Sequence, residues 1–211
     1  MVFSRIASSA IVALAVAGHA QANLVVNGSM TGTPAIGTPP PGWGSISVDG
    51  DTIPPGGFSI WADGIPASPD GGTFLAILNN GLFSSGLDIV KQDVAGFTAG
   101  ETYSLSFYYA NAALPTIGGY AGPGSVQTDI AGNTFNTPVI SFDGIGFQQW
   151  YIASYSFVAT AATQQLVFTP VATTAQGQAH GINGVVIELI PTPSAAGLFG
   201  LAAMAGLRRR R

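Results

Sequence analysis

Side chains that commonly carry out catalysis are scarce in this sequence. Beyond residue 22 the only histidine is His180, and the chain has no cysteine. A Ser–His–Asp triad would need His180 as its base, and no Gly-x-Ser-x-Gly motif is present to hold a nucleophile. The lack of cysteine excludes thiol catalysis and zinc–thiolate sites, and one histidine cannot form a histidine cluster around a metal. We interpret His180 as a loop residue, exposed or bonded to backbone, just before the last strand.

Paired carboxylates, which glycoside hydrolysis requires, are not evident either. The two glutamates, Glu101 and Glu188, are expected at solvated strand edges. The aspartates concentrate in sequences that favour turns, namely Asp49-Gly50-Asp51, Asp63-Gly64, Asp70-Gly71-Gly72 and Asp143-Gly144. We therefore predict a protein that is not an enzyme, and a glycan-active enzyme is the least favoured alternative.

Aromatic side chains are the better candidates for a functional site, because a sugar ring can stack on an exposed aromatic ring that has polar neighbours. Tyr108 falls on the polar face of an alternating segment. Trp61 ends the predicted strand 58–61 and flanks a Pro/Gly-rich stretch, and Tyr120 belongs to a predicted loop. Trp43 flanks a Pro/Gly-rich stretch, and Trp150 begins an apolar strand and is expected in the core. We predict Trp61, Tyr108 and Tyr120 as ligand-binding residues for a neutral polysaccharide.

The charge of the central part of the chain excludes one class of partner. Residues 23–190 contain ten acidic residues and one lysine, Lys91, which gives a net charge of −9. No basic patch is available to neutralise phosphates, so nucleic-acid binding is excluded. Abundant aromatic and β-branched residues argue against disorder, and about 168 residues suffice to bury a core.

The hydrophobic pattern predicts an all-β fold. In 101–110, Tyr103, Leu105, Phe107 and Tyr109 alternate with Thr102, Ser104, Ser106 and Tyr108, so one face is expected in the core and the other in solvent. The predicted strands are 23–27, 44–48, 58–61, 73–78, 86–94, 101–110, 124–131, 138–142, 148–158, 163–169 and 184–190. Many short strands separated by turns indicate a single antiparallel sandwich or barrel.

Three segments of the chain lead to separate structural predictions. The Pro-rich residues 31–57 are predicted to form a long surface excursion with one edge strand, because proline cannot donate to a strand ladder. Residues 148–158 are apolar on both faces, which favours a central strand. Residues 111–124 are predicted to be a loop.

The N-terminus has the features of a secretory signal peptide at residues 1–22. Arg5 precedes a thirteen-residue apolar segment, 6–18, which is too short to span a bilayer. Ala20 and Ala22 match the small-x-small pattern cleaved by signal peptidase, so we predict a mature chain that begins at Asn23. An uncleaved anchor is the alternative.

The C-terminus combines Pro191-Thr192-Pro193, fourteen small or apolar residues at 194–207, and four arginines at 208–211. This arrangement resembles the PEP-CTERM sorting signal, although Thr192 stands where the name-giving motif has Glu. The resemblance implies a short hydrophobic helix in residues 191–211, a transient membrane tether, and processing by an exosortase-like membrane protease at the surface of a Gram-negative-type bacterium. An ordinary tail anchor is the alternative.

The central segment, residues 23–190, also resembles a known family. The segments 23–29, 92–94, 100–107 and 181–187 look like those of the galactose-binding-like jelly roll of many carbohydrate-binding modules. Such domains often hold a structural calcium ion, with acidic ligands at the positions that match Met30 and Asn183 here. The resemblance implies one jelly-roll domain, no certain cofactor, and calcium as the one structural ion to test.

Together these features favour an exported, noncatalytic cell-surface or extracellular-matrix protein that binds polysaccharide. The alternative is a structural matrix protein without a discrete ligand.

Overall fold

The computed structural model describes residues 22–58, 66–79, 86–112, 122–141, 149–173 and 177–191. These ranges contain ten strands and no helix, which confirms the predicted all-β class. The strands are β1 (Gly44–Ser45), β2 (Asp51–Ile53), β3 (Phe74–Asn79), β4 (Val90–Ala95), β5 (Thr102–Ala112), β6 (Gly124–Ile130), β7 (Asn133–Asn136), β8 (Tyr151–Val158), β9 (Thr163–Ala172) and β10 (Gln178–Leu189).

The strands form two five-stranded antiparallel sheets. The first sheet has the order β1-β4-β9-β6-β7, and the second has the order β2-β3-β10-β5-β8. The chain passes from one sheet to the other at most of its connections, as in a jelly roll. The last strand, β10, pairs with β3 on one side and β5 on the other, so it lies in the middle of the second sheet.

The core lies between the sheets and follows the alternation predicted for β5. Tyr103, Leu105, Phe107 and Tyr109 are buried, whereas the side chains between them are half-buried on the outer face. Phe107 meets Phe168 of the opposite sheet with ring centroids 5.0 Å apart in an edge-to-face arrangement. Burying each such side chain stabilises the fold by roughly 1.5–3 kcal/mol, which makes this contact a main link between the sheets.

The predicted strand at 23–27 is wrong: this segment forms a bend and a turn. The Asn23 side chain takes the place of a ladder partner, because its Oδ1 accepts from the Ile187 amide at 2.9 Å and its Nδ2 donates to Val185 O at 2.9 Å. Asn27 then adopts a φ of 52°, which leaves the extended region. Asparagine competes with backbone pairing in this way and tolerates positive φ.

The predicted central position of 148–158 is also wrong. Within the described residues β8 pairs only with β5 and forms an edge of the second sheet. Its apolar outer residues are exposed rather than covered: Ile152 is 64% and Val158 is 49% exposed. Apolar residues on both faces of a strand therefore did not indicate burial on both faces.

The closing strand is longer than predicted and contains His180, which is not a loop residue. β10 begins at Gln178, and His180 pairs with Ile77 of β3 and Asn111 of β5. It is completely buried. The polar residues Gln178, His180 and Asn183 interrupt the apolar pattern, which hid the first half of this strand.

Other boundaries differ in smaller ways. The 31–57 excursion contains two short edge strands rather than one, β1 and β2, and they belong to different sheets. β2 begins at Asp51, which is buried rather than part of a solvated turn. Strand β7 was not predicted. The described part of the strand predicted at 138–142 forms only an isolated bridge at Ile140. The strand predicted at 86–94 begins at Val90. Of the strand predicted at 58–61, only Phe58 is described.

Most of the two predicted targeting segments lies outside the described residues. Ala22 and Pro191 are described and exposed, whereas Ala20, Thr192 and Pro193 are not described. Within the described part of the chain, no helix is long and apolar enough to span a membrane. The signal peptide, the sorting tail and the 23–190 boundaries remain predictions.

Candidate functional site

A cleft of about 530 Å³ opens on the outer face of the second sheet. Its floor is formed by β10, β5 and β8, and its walls are the turn that begins at Asn23 and the loop that contains Asp70. The residues that line it include Asn27, Ser29, Asp70, Ser106, Tyr108 and Ile152. This volume lies in the range of pockets that bind small molecules.

Strand register places Tyr108 at the centre of the floor. Tyr108 lies opposite Asn183 of β10 on one side and Ile152 of β8 on the other. Next to it, the pairing shifts by one residue between Asn183 and Val186, which is a β-bulge. The bulge brings the backbone of Gly184 beneath the Tyr108 ring.

Gly184 is required here for two reasons. Its φ is 59°, a conformation that L side chains rarely adopt. A Cβ at this position would lie 2.7 Å from Tyr108 Cδ2 and 3.1 Å from Cε2. Because Gly184 has no side chain, the Tyr108 ring can lie directly against the backbone at this point of the cleft.

Several polar groups of the cleft are available to a ligand. Within the described residues, the side chains of Ser106, Tyr108 and Asp70 have no hydrogen bond or ion pair to the protein, and none of the three is buried. They offer two hydroxyl groups and one carboxylate beside the face of an aromatic ring. This combination suits a ligand that has both apolar C–H faces and hydroxyl groups.

The cleft wall is held by side chains that are already engaged. Asn27 Nδ2 donates to Thr31 O at 2.9 Å and Pro41 O at 2.8 Å, and Asn27 Oδ1 accepts from the Thr31 amide at 3.0 Å. Trp43 Nε1 donates to Asn27 O at 3.2 Å. The wall is therefore preorganised, and the Asn27 side-chain amide is used in hydrogen bonds within the protein rather than offered to a ligand.

Among the predicted ligand-binding residues, Tyr108 lines the cleft, whereas Trp61 and Tyr120 lie outside the described residues and are not placed relative to it. Trp43 is a core residue, with its ring 5.7 Å from Phe168. Trp150 is half-buried, 5.5 Å from the ring of Phe74.

Sequence reasoning missed Ser29, Asp70, Ser106 and Ile152 as cleft residues. The period-2 alternation could have identified Ser106, because it places Ser106 on the outer face of β5 with Tyr108. The other three come from segments that only the folded chain brings together.

A second depression of about 520 Å³ adjoins the cleft at Ile152, which lines both. It is largely apolar and is lined by Tyr109, Pro138, Val139, Ile140, Ser141, Tyr151 and Ile152. Tyr151 and Val139 are 38% and 54% exposed. Ile152 of the edge strand β8 thus lies between two adjoining depressions.

The positions matched to calcium ligands in the resembled family lie just beneath the cleft. Asn183 Nδ2 donates to Ser29 O and to Thr73 O, both at 2.8 Å. Met30 is completely buried with a φ of 55°. Among the described residues, no group of three or more His, Cys, Asp or Glu side chains could hold a metal ion.

His180 lies in the interior of the sandwich. Among the described residues, neither ring nitrogen makes a hydrogen bond of good geometry. Burial lowers its pKa to about 4, and the backbone of Ala110 opposes this shift. A neutral imidazole enclosed between strands cannot exchange protons with a ligand in the cleft, so His180 is a structural residue.

Asp88 is the other strongly perturbed group. It is buried next to β3, where the Leu78 amide donates to its Oδ2 at 2.8 Å. Desolvation raises its pKa to about 7, Asp51 and Asp49 add to the rise, and the bond from Leu78 opposes it. It does not line the cleft.

Comparison with known proteins shows similarity of fold. No protein-family model matches the chain, and no curated protein matches it. Among solved structures it is similar to the α-L-arabinofuranosidase MgGH51 in its arabinose-bound form, at 14% identity and a TM-score of 0.54, over 80% of this chain and 26% of that one.

Two further structures are similar over different shares of their length. The CBM22-1 xylan-binding domain of Paenibacillus barcinonensis Xyn10C has 14% identity and a TM-score of 0.46, over 82% of this chain and 97% of that one. The C-terminal domain of the sugar-binding protein EclA has 21% identity and a TM-score of 0.36, over 46% and 64%. The chain thus spans less than two thirds of EclA's domain and about a quarter of the arabinofuranosidase. At these identities the likeness concerns the fold alone.

Proposed function

We propose that this protein is a noncatalytic, exported carbohydrate-binding protein that holds a neutral polysaccharide in the Tyr108 cleft. The observation that carries the proposal is the half-buried Tyr108 ring against the backbone of Gly184. The Ser106 hydroxyl and the Asp70 carboxylate lie in the same cleft and have no partner among the described residues. A sugar ring presents apolar C–H groups to the aromatic face and hydroxyl groups to the polar side chains.

Charge favours a neutral ligand over an anionic one. The segment 23–190 carries a net charge of −9, and Asp70 adds a carboxylate at the cleft itself. An anionic glycan would meet repulsion over the Debye length, about 10 Å at 0.1 M salt. A neutral glycan instead gains hydrogen bonds from hydroxyl donors to the Asp70 carboxylate, which are stronger than bonds to neutral acceptors.

Among the described residues, the cleft lacks the paired carboxylates of a glycosidase. Hydrolysis uses two carboxyl groups about 5–10 Å apart across the scissile bond. In the described part of the chain, Asp70 is the only carboxylate that lines the cleft. His180 is enclosed in the core, and Glu188 is exposed outside the cleft. The residues support binding rather than bond cleavage.

Export rests on the sequence of the two ends. Signal peptidase would release the chain after Ala22, and an exosortase-like protease would process the tail that begins at Pro191. The protein would be tethered transiently by residues 194–207 and then delivered to the cell surface or extracellular matrix.

A glycan array tests the proposed ligand class. The purified protein is expected to bind one or more neutral polysaccharides and to ignore uronic-acid and sulfated glycans at low salt. Binding confined to anionic glycans would contradict the proposal. No binding at all would favour the structural matrix protein instead.

A further inference from the structure

Asn183 joins the opening turn to the last strand at a point where carbonyl oxygens converge. Its side chain is completely buried. Its Nδ2 donates to Ser29 O in the opening turn and to Thr73 O at the start of β3, each at 2.8 Å. One amide group thus connects three segments that are far apart in the sequence.

A third carbonyl completes the arrangement. Thr73 Oγ1 donates to Met30 O at 2.7 Å and accepts from the Gly32 amide at 2.9 Å. The carbonyl oxygens of Ser29, Met30 and Thr73 therefore each have an N–H or O–H donor. We name this group of four residues, Ser29, Met30, Thr73 and Asn183, the Asn183 clasp.

Converging carbonyl oxygens are also what a calcium ion would bind, but the rest of the donor set does not fit calcium. Calcium takes six to eight oxygen ligands, and its affinity depends on how many of them are charged. At the two positions matched to acidic ligands, Met30 offers an apolar side chain and Asn183 aims N–H groups at the carbonyls. The Asn183 Oδ1 is buried without a hydrogen-bond partner among the described residues, and it is a neutral oxygen on the other side of the amide from these N–H groups. Asp70, exposed in the adjoining cleft, is a single carboxylate.

We propose that the Asn183 amide takes the place of the structural cation, so that the fold and the cleft above it are independent of calcium. The two N–H groups supply the positive end of a dipole to the carbonyls without the cost of dehydrating an ion. The inference concerns the clasp alone and holds whether or not the cleft binds a glycan.

Thermal unfolding of the purified protein tests the inference directly. The wild-type melting temperature is expected to be the same in EGTA, in millimolar calcium and in millimolar magnesium at matched ionic strength. A binding ion would raise it by linkage. A rise in calcium alone would overturn the inference, because it would mean that Asn183 is turned with Oδ1 toward a bound ion.

Asn183→Asp provides the second arm. A carboxylate cannot donate to the two carbonyls, so the melting temperature in EGTA is expected to fall by about 10 °C, the scale for a buried unpaired charge in a domain of this size. Millimolar calcium should restore part of the loss, because the new carboxylate is a charged oxygen ligand beside the two carbonyls, and magnesium should not. Thr73→Val removes one hydroxyl and adds no charge, so its smaller loss should be the same with and without calcium.

Asn133→Asp is the matched control, because Asn133 Nδ2 also donates to two carbonyls, those of Ile130 and Ala131, at an exposed turn. It should change stability little and respond to neither ion. An Asn183→Asp variant as stable in EGTA as the wild type, or one that calcium does not stabilise, would overturn the proposed role of the amide. If Asn183→Asp does not fold, the melting temperatures of the wild type and of Thr73→Val with and without calcium still test whether the clasp is independent of calcium.

Discussion

Replacing Asp88 by asparagine should remove one component of the pH dependence of stability. The Asp88 pKa rises from 3.8 to about 7 in the folded protein, chiefly by desolvation. A carboxyl whose folded pKa is raised binds its proton more tightly when folded. It therefore stabilises the fold progressively as the pH falls from about 7 toward 4, and this stabilisation is lost above pH 7.

The magnitude follows from the size of the shift. One pKa unit corresponds to about 1.4 kcal/mol, so the proton on Asp88 contributes about 2–3 kcal/mol more to the free energy of unfolding at pH 5 than at pH 8. The substituted asparagine side chain keeps an oxygen that can accept from the Leu78 amide, and it has no charge to titrate. The stability of Asp88→Asn relative to wild type should therefore be higher at pH 8 than at pH 5 by this amount.

The wild-type profile alone would conceal the effect. The pKa of His180 falls from 6.5 to about 4 on folding. A depressed histidine pKa costs stability as the pH falls below 6.5, because only the unfolded chain gains the proton. At pH 5 this cost is roughly 2 kcal/mol, close in size and opposite in sign to the Asp88 contribution.

The assay is urea denaturation of wild type and Asp88→Asn between pH 5 and pH 8, compared pairwise so that all other titrations cancel. Asp93→Asn, at an exposed position on β4, controls for the loss of one negative charge. Parallel profiles for wild type and Asp88→Asn would refute the assignment of a raised pKa to Asp88.

Three further predictions concern the core, the cleft and the ends of the chain. His180→Leu removes the group whose pKa falls on folding, so its stability relative to wild type should be about 2 kcal/mol higher at pH 5 than at pH 8; urea denaturation measures this difference, and parallel profiles for the two proteins would show that His180 does not carry it. Gly184→Ala should lower the free energy of unfolding by about 1–2 kcal/mol through its positive φ, and it should weaken glycan binding by displacing the Tyr108 ring. Scanning calorimetry measures the first effect and titration calorimetry the second; unaltered affinity would show that the ring position does not matter for binding. Mass spectrometry of exported protein should find Asn23 at the N-terminus and no peptide that contains residues 208–211; recovery of the intact arginine tail would exclude processing there.

The sequence predicted the parts of the fold that a regular alternation specifies. From Thr102 to Tyr109 of β5 every second residue is buried, because strict period-2 alternation leaves only one way to place an apolar face against the core. The same alternation placed Tyr108 on the outer face, next to Ser106. For the proline-rich segment 31–57 the missing N–H of proline predicted one edge strand, and the structure has two, β1 and β2.

The predictions that failed concern features that depend on contacts between distant segments. β10 begins six residues earlier than predicted, because buried polar residues such as Asn183 find hydrogen-bond partners that only the folded chain provides. The segment 23–27 looks like a strand, but the Asn23 side chain replaces backbone pairing. Asp70 and Ile152 join the cleft from segments far apart in the sequence, and no local pattern connects them.

The central claim, that a sugar ring stacks on Tyr108, is tested most directly by isothermal titration of a neutral glycan selected on the array. Tyr108→Ala removes a contact worth about 1 kcal/mol or somewhat more, so we expect roughly fivefold to tenfold weaker affinity, at about 1.4 kcal/mol per decade. Tyr108→Phe keeps the ring and should retain most of the affinity, and neither variant should lower the melting temperature appreciably. Wild-type affinity in Tyr108→Ala would contradict the account, as would a Tyr108→Ala protein that unfolds.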